Sequence, residues 1–154
     1  RPCMHPIKRA SRLLNACLLT GTVGAVAMMP FGKLFSMLGL RVGHYGPKFA
    51  EWLFGSSGSL LLLVQHFVLG WLSALPLLLL FAWPAAASRP LVSGGLYGLA
   101  YYLLVNSLGL PLMFGDPLPW QLGLTTVLPS LVVHLVFGLG VGWSARPYIA
   151  GAAQ

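Results

Sequence analysis

Charge is what this chain has least of. Only 7% of its 154 residues are charged, and two of them, Glu51 and Asp116, are acidic. Soluble domains carry about 25% charged residues, so a water-facing globular surface is excluded. Two acids on separate segments also exclude a paired-carboxylate acid–base mechanism. Cysteine is equally scarce. Cys3 and Cys17, the latter inside an apolar run, suggest neither a disulfide framework nor a zinc cluster, and no metal site is expected. There is no glycine-rich phosphate loop and no nucleophile elbow. A non-enzymatic protein is therefore expected.

Apolar residues are what the chain has instead: 57% of it is hydrophobic, with a mean hydropathy of +0.83. A hydrocarbon core roughly 30 Å thick needs about 20 apolar residues in a helix. Four runs fit, at about 11–29, 59–83, 91–110 and 122–143. The fold class expected is an all-α membrane protein with four transmembrane helices. Residues 1–10 read as a basic cytoplasmic tail, 41–58 as an outer loop with a short amphipathic piece from Pro47 to Phe54, and 144–154 as a second cytoplasmic tail. Pro30 ends or kinks the first helix, so that Phe31 to Leu40 either continues it or forms a short interfacial helix with Lys33 snorkelling to the headgroups. Pro111 stops the third. The basic start, the first apolar run and Ala25-Val26-Ala27 mimic a signal peptide, but the run is read as an uncleaved helix.

The net charge of +7 follows topology. Arg1, Lys8, Arg9, Arg12, Arg89 and Arg146 would lie on one side, and Lys33, Arg41 and Lys48 on the other. Six cations against three favour a multi-pass arrangement with N-in and C-in. Trp83 and Trp143 would anchor at the inner interface, Trp52 and Trp120 at the outer. The cations form no patch interleaved with aromatics, so the lipid bilayer rather than nucleic acid is the expected partner.

One stretch occurs twice. Val64-Gln65-His66-Phe67-Val68-Leu69-Gly70 is echoed 68 residues later by Val132-Val133-His134-Leu135-Val136-Phe137-Gly138. The same offset pairs Trp52 with Trp120, Gly55 with Gly123, Leu60 with Leu128 and Leu63 with Leu131. Two tandem two-helix repeats of parallel topology are expected, related by a pseudo-twofold axis along the membrane normal. Each helix also carries a small-xxx-small pair: Gly21/Ala25, Gly70/Ala74, Gly94/Gly98 and Gly138/Gly142. Lipid gives helices no hydrophobic reason to associate, so positions that let backbones approach are the expected packing seams.

The repeat places one histidine in each half, His66 and His134, each with a glycine four residues on and so on the same face. Ionisable groups inside a membrane face the protein interior and are candidate functional residues. Three readings are open from sequence. Each imidazole is a structural hydrogen-bonding group, or the two form a titrating proton-linked pair, or they are opposed cofactor ligands with the glycines making room for haem b. On helix three, Tyr97/Tyr101 and Tyr102/Asn106 form two polar-edged rows at i, i+4 spacing, suited to interhelical hydrogen bonds or to a substrate or quinone site.

Gly98 through Met113, then Pro119-Trp120, then His134 resemble the carboxy-terminal half of the YagU family of small bacterial inner-membrane proteins. The resemblance implies a polytopic protein linked to acid resistance. This chain has Asn106 where the family tends to carry histidine, and Ser130 where it tends to carry glutamate. A stress-related membrane protein acting through the histidine pair is the first functional expectation. An accessory subunit of a respiratory or photosynthetic complex, with other membrane-protein subunits as partners, is the alternative. A small membrane cytochrome is the third.

Overall fold

The computed structural model describes residues 6–42 and 44–152, and all regular structure among them is helical. Four spans are long and apolar enough to cross a membrane: Arg9–Met37, Ser59–Leu80, Pro90–Phe114 and Leu124–Gly151. Helix α1 (Pro6–Met37) is followed by α2 (Tyr45–Phe54), α3 (Ser59–Leu80) and the single turn α4 (Pro84–Ala87). The third span joins α5 (Pro90–Tyr101), a π segment (Tyr102–Gly109) and α6 (Leu110–Phe114). A 3₁₀ turn (Pro119–Gln121) leads into α7 (Leu124–Ser144) and α8 (Arg146–Ala152).

Three boundaries differ from the sequence expectation, each for a backbone reason. Helix α1 runs through Pro30 to Met37, the continuation that the sequence left open, and it already includes residues 6–10 of the expected tail; residues 1–5 lie outside the described residues. A proline removes one hydrogen bond, and in a span that must satisfy its own backbone the remaining bonds carry the helix past it. The third span likewise passes Pro111. A proline ring crowds the carbonyl four residues back. Here Leu110 N–H bonds to Val105 O, five residues back, so the chain enters Pro111 in a widened register. Gly115, at φ 65°, ends α6 in its place. The expected carboxy-terminal tail is helix α8 as far as Ala152, residues 153–154 lying outside the described residues. Arg12 donates to Tyr148 O (2.8 Å) and Gly151 O (2.7 Å), supplying the last turns of α8 with partners for their carbonyls. The two ends of the described chain therefore meet at one end of the bundle. The segments following α1 and α6 meet at the other.

Small residues set the packing. Helix α1 lies against α3: a Cβ on Gly21 would sit 2.7 Å from Gly70 O. Helix α5 lies against α7 more closely, since a Cβ on Gly94, Gly98, Gly138 or Gly142 would overlap the facing backbone. Ala25 and Ala74 are fully buried. A third seam joins the two hairpins. A Cβ on Gly140 of α7 would come within 3.1 Å of Gly24 Cα on α1. Gly140 points away from the Gly138/Gly142 face, as a residue two positions along a helix must. A strict twofold relation would seat α3 on α5 as closely as α1 sits on α7. Instead α3 stands away from α5 and α7, and the bundle is open on that side.

Candidate functional site: a cavity shared by two histidines

On α3, the absent side chain of Gly70 brings α1 near, with Ala25 Cβ beside it. One turn earlier, His66 Nε2 lies 3.1 Å from Ala25 O on α1. A carbonyl oxygen only accepts, so Nε2 carries the ring proton and Nδ1 keeps a lone pair. On α7, His134 lies with its backbone against Gly98 of α5. It turns to its own helix, Nδ1 donating to Ser130 O at 2.6 Å, which leaves the lone pair on Nε2. Tyr101 stacks on His134 at 5.8 Å between centroids and 24° between planes, and Tyr102 lies 5.7 Å away at 49°.

Both histidines line one cavity of about 340 Å³. That is within the range of small-molecule sites, roughly 300–1,000 Å³. Its walls are mainly apolar and aromatic. Polar side chains come from the second, third and fourth spans and from the segment before α2. Ser73 Oγ donates to Tyr101 Oη at 2.9 Å, and Tyr97 Oη donates to Ser73 O, so hydrogen bonds bridge α3 and α5 where no small residues bring them together. Gln65 Nε2 donates to Gly46 O at 2.9 Å, fixing the start of α2 over the cavity. Gln65 Oε1 is buried without a partner, as are Tyr102 Oη and Ser107 Oγ on the π segment.

Charges gather at the mouth. Lys48 Nζ donates to both oxygens of Asp116 at 2.6 Å. Arg41 donates to His44 Nδ1 at 3.2 Å, which leaves the His44 proton on Nε2, 3.7 Å from Asp116. The hydrogen bond from Lys48 holds the Asp116 carboxyl below its usual range. Burial, with Arg41 and Lys48 nearby, lowers His44 against the opposing pull of Asp116. Burial raises Tyr45, and Asp116 adds to the rise. Tyr45 also stacks on Phe114 at 6.1 Å. Helix α2 is thus roofed onto the cavity by an ion pair and a ring stack.

The structure reorders several sequence expectations. Glycines beside the histidines open no room for a macrocycle, because the backbone of α1 fills the space at Gly70 and that of α5 the space at Gly138. The rows on helix three also change partners. The π segment advances the register by a residue, so Tyr101 and Asn106 share the cavity wall while Tyr102 is buried against His134. Trp52, Trp83, Trp120 and Trp143 are all exposed on the outside of the bundle, whereas the fifth tryptophan, Trp71, donates to Thr22 Oγ1 across the α1–α3 seam.

Gln65, Ser73, Gly24, Gly140 and the Lys48–Asp116 pair were not singled out in the sequence. Gln65 had a signal, as the polar neighbour of His66 in an otherwise apolar run. Lys48 and Asp116 had another: they stand 68 residues apart, the offset of the repeated histidines. No protein-family model matches the chain, and no curated protein or solved structure shows a significant likeness to it.

Proposed function

We propose that the chain is a small non-enzymatic membrane protein whose working part is the cavity shared by His66 and His134, where it holds a small membrane-dissolved molecule. The observation that carries this reading is that two histidines from two different hairpins line one ligand-sized space. The resemblance to YagU proteins, with its implied link to acid stress, is consistent with the same location. Asn106 and Ser130, the two departures from the family pattern, line the cavity alongside His134.

The duplicated-hairpin reading has its own support. In a twofold arrangement, equivalent residues touch each other only on the axis, and Lys48 and Asp116 are equivalent at the 68-residue offset and touch. The axis would then pass through the mouth and between the histidines. An inner-membrane orientation with both ends inside places the mouth at the outer face, in line with the distribution of cations.

The test is native mass spectrometry of the full chain released from lipid nanodiscs. A small-molecule adduct on the wild-type chain, lost in Thr126→Trp, which fills the cavity from α7, is the expected result. A chain without adduct that purifies with stoichiometric partner chains would replace this reading with the accessory-subunit one.

A further inference from the structure

The hydrogen-bond inventory of the cavity selects a class of ligand, and this step rests on the reading that the cavity is a binding site. The ring protons of His66 and His134 are both engaged by backbone carbonyls, of Ala25 and Ser130. What each neutral ring has left is an acceptor. Gln65 is in the same position: its amide N–H is held by Gly46 O, and its Oε1 is buried without a donor. Three side chains lining the cavity therefore offer lone pairs and no proton, beside Asn106, Thr126 and Ser130, which can donate as well as accept. A molecule that only accepts, such as a ketone or an ether, leaves them unpaired in a low-dielectric space, where unpaired polar atoms are costly.

Charge narrows the class further. Arg41 is the one permanently charged side chain among the described residues lining the cavity, and it is exposed at the mouth. An ionised head beside the histidines would have no counter-charge, and burying it would be costly. Shape adds the last element, since the rings of Tyr45, Phe49, Tyr101 and Phe137 line the same space. Such walls suit a flat aromatic ring. We infer that the cavity takes a neutral phenol-class molecule, an apolar body whose ring hydroxyl donates to one of the two imidazole acceptors, that of His66 or that of His134.

The experiment compares two probes that differ by one donor. The full chain in lipid nanodiscs is dialysed against 4-butylphenol or its methyl ether, 4-butylanisole, with empty nanodiscs subtracted. Saturable retention of the phenol, at least about tenfold tighter than the ether, is expected, the discrimination of one buried hydrogen bond. His134→Phe keeps a ring beside Tyr101 but removes an acceptor, and His66→Phe removes the other. At least one of the two should lower the phenol affinity toward that of the ether, so that the ratio between the probes narrows. Equal retention of the two probes by the wild-type chain overturns the donor assignment while the binding cavity stands. A phenol preference unchanged in both variants overturns the role given to the histidines. Saturable retention of neither probe overturns both this inference and the reading beneath it.

Discussion

The two faces along which the hairpins could meet are built on opposite principles. Between α1 and α7, Gly24 and Gly140 bring backbone to backbone. Between α3 and α5, where a twofold relation would place the same contact, hydroxyls of Tyr97 and Tyr101 reach across to Ser73 instead. Both are ways of associating helices where lipid removes the hydrophobic drive: close packing of small residues in one case, interhelical hydrogen bonds in the other. They differ in reach. A glycine seam admits nothing between the helices, whereas a tyrosine holds its partner helix a side chain's length away. The cavity follows from closing one seam and propping the other.

The largest test of that comparison is Gly140→Leu. Its Cβ alone would lie 3.1 Å from Gly24 Cα, and the rest of the side chain has to displace α1. Destabilisation of about 2–3 kcal/mol is expected, read as a lower unfolding midpoint in detergent. A substitution tolerated within a few tenths of a kcal/mol would show that the seam is looser than its geometry.

Tyr97→Phe acts on the propped side and should cost less, about 1 kcal/mol, in line with measured interhelical bonds in membranes. It frees the Ser73 carbonyl from its cross-helix donor. Hydrogen exchange should rise in the second half of α3 while α1 and α7 stay protected. Equal loosening of all four spans would mean that the two seams are not independent. His66→Phe is expected to fall in the same range, since it too removes one interhelical bond, to Ala25 O.

Much of this arrangement was legible in the chain. Runs of apolar residues interrupted by prolines located the four spans, because a membrane requires continuous helices of a set length. Beyond that, the partner of each helix decides the detail. Nothing in Gly140 announces that it faces α1 while Gly138 and Gly142 face α5, since spacing gives a face but not its neighbour. Pro111 reads as a stop until the carbonyls before it are seen to widen into a π turn. The two histidines look alike in sequence and differ in the structure, His66 bonding to Ala25 O on α1 and His134 to Ser130 O on its own helix. Gln65 and Ser73 matter only once an open space exists beside them.

The smallest effect tests the roof across the open side. Lys48 on α2 and Asp116 after α6 tie the two hairpins together at the mouth, and a half-buried pair that solvent still reaches contributes little to overall stability. Its pH dependence is nevertheless specific. His44 has a folded-state value below its unfolded one near 6.5, because burial and the cations Arg41 and Lys48 outweigh Asp116. As pH falls through that interval, the undocked state takes up a proton that the docked state resists, so docking weakens. Asp116 adds a second step in the same direction. Its folded value lies below the usual carboxylate value near 3.9, so the stability it contributes is complete above that value and is lost as pH falls toward the lower one. Amide protection over residues 45–54 should therefore be full near pH 7 and decline in two stages on acidification. His44→Asn should remove the upper stage and leave the lower, and Asp116→Asn should abolish the lower and leave the roof less protected at every pH. The α1–α7 seam contains no titrating group at Gly24 or Gly140, so its protection should not change between pH 7 and 5. If that seam loosens in step with α2, the closed and propped sides respond as one unit, and the division between them fails.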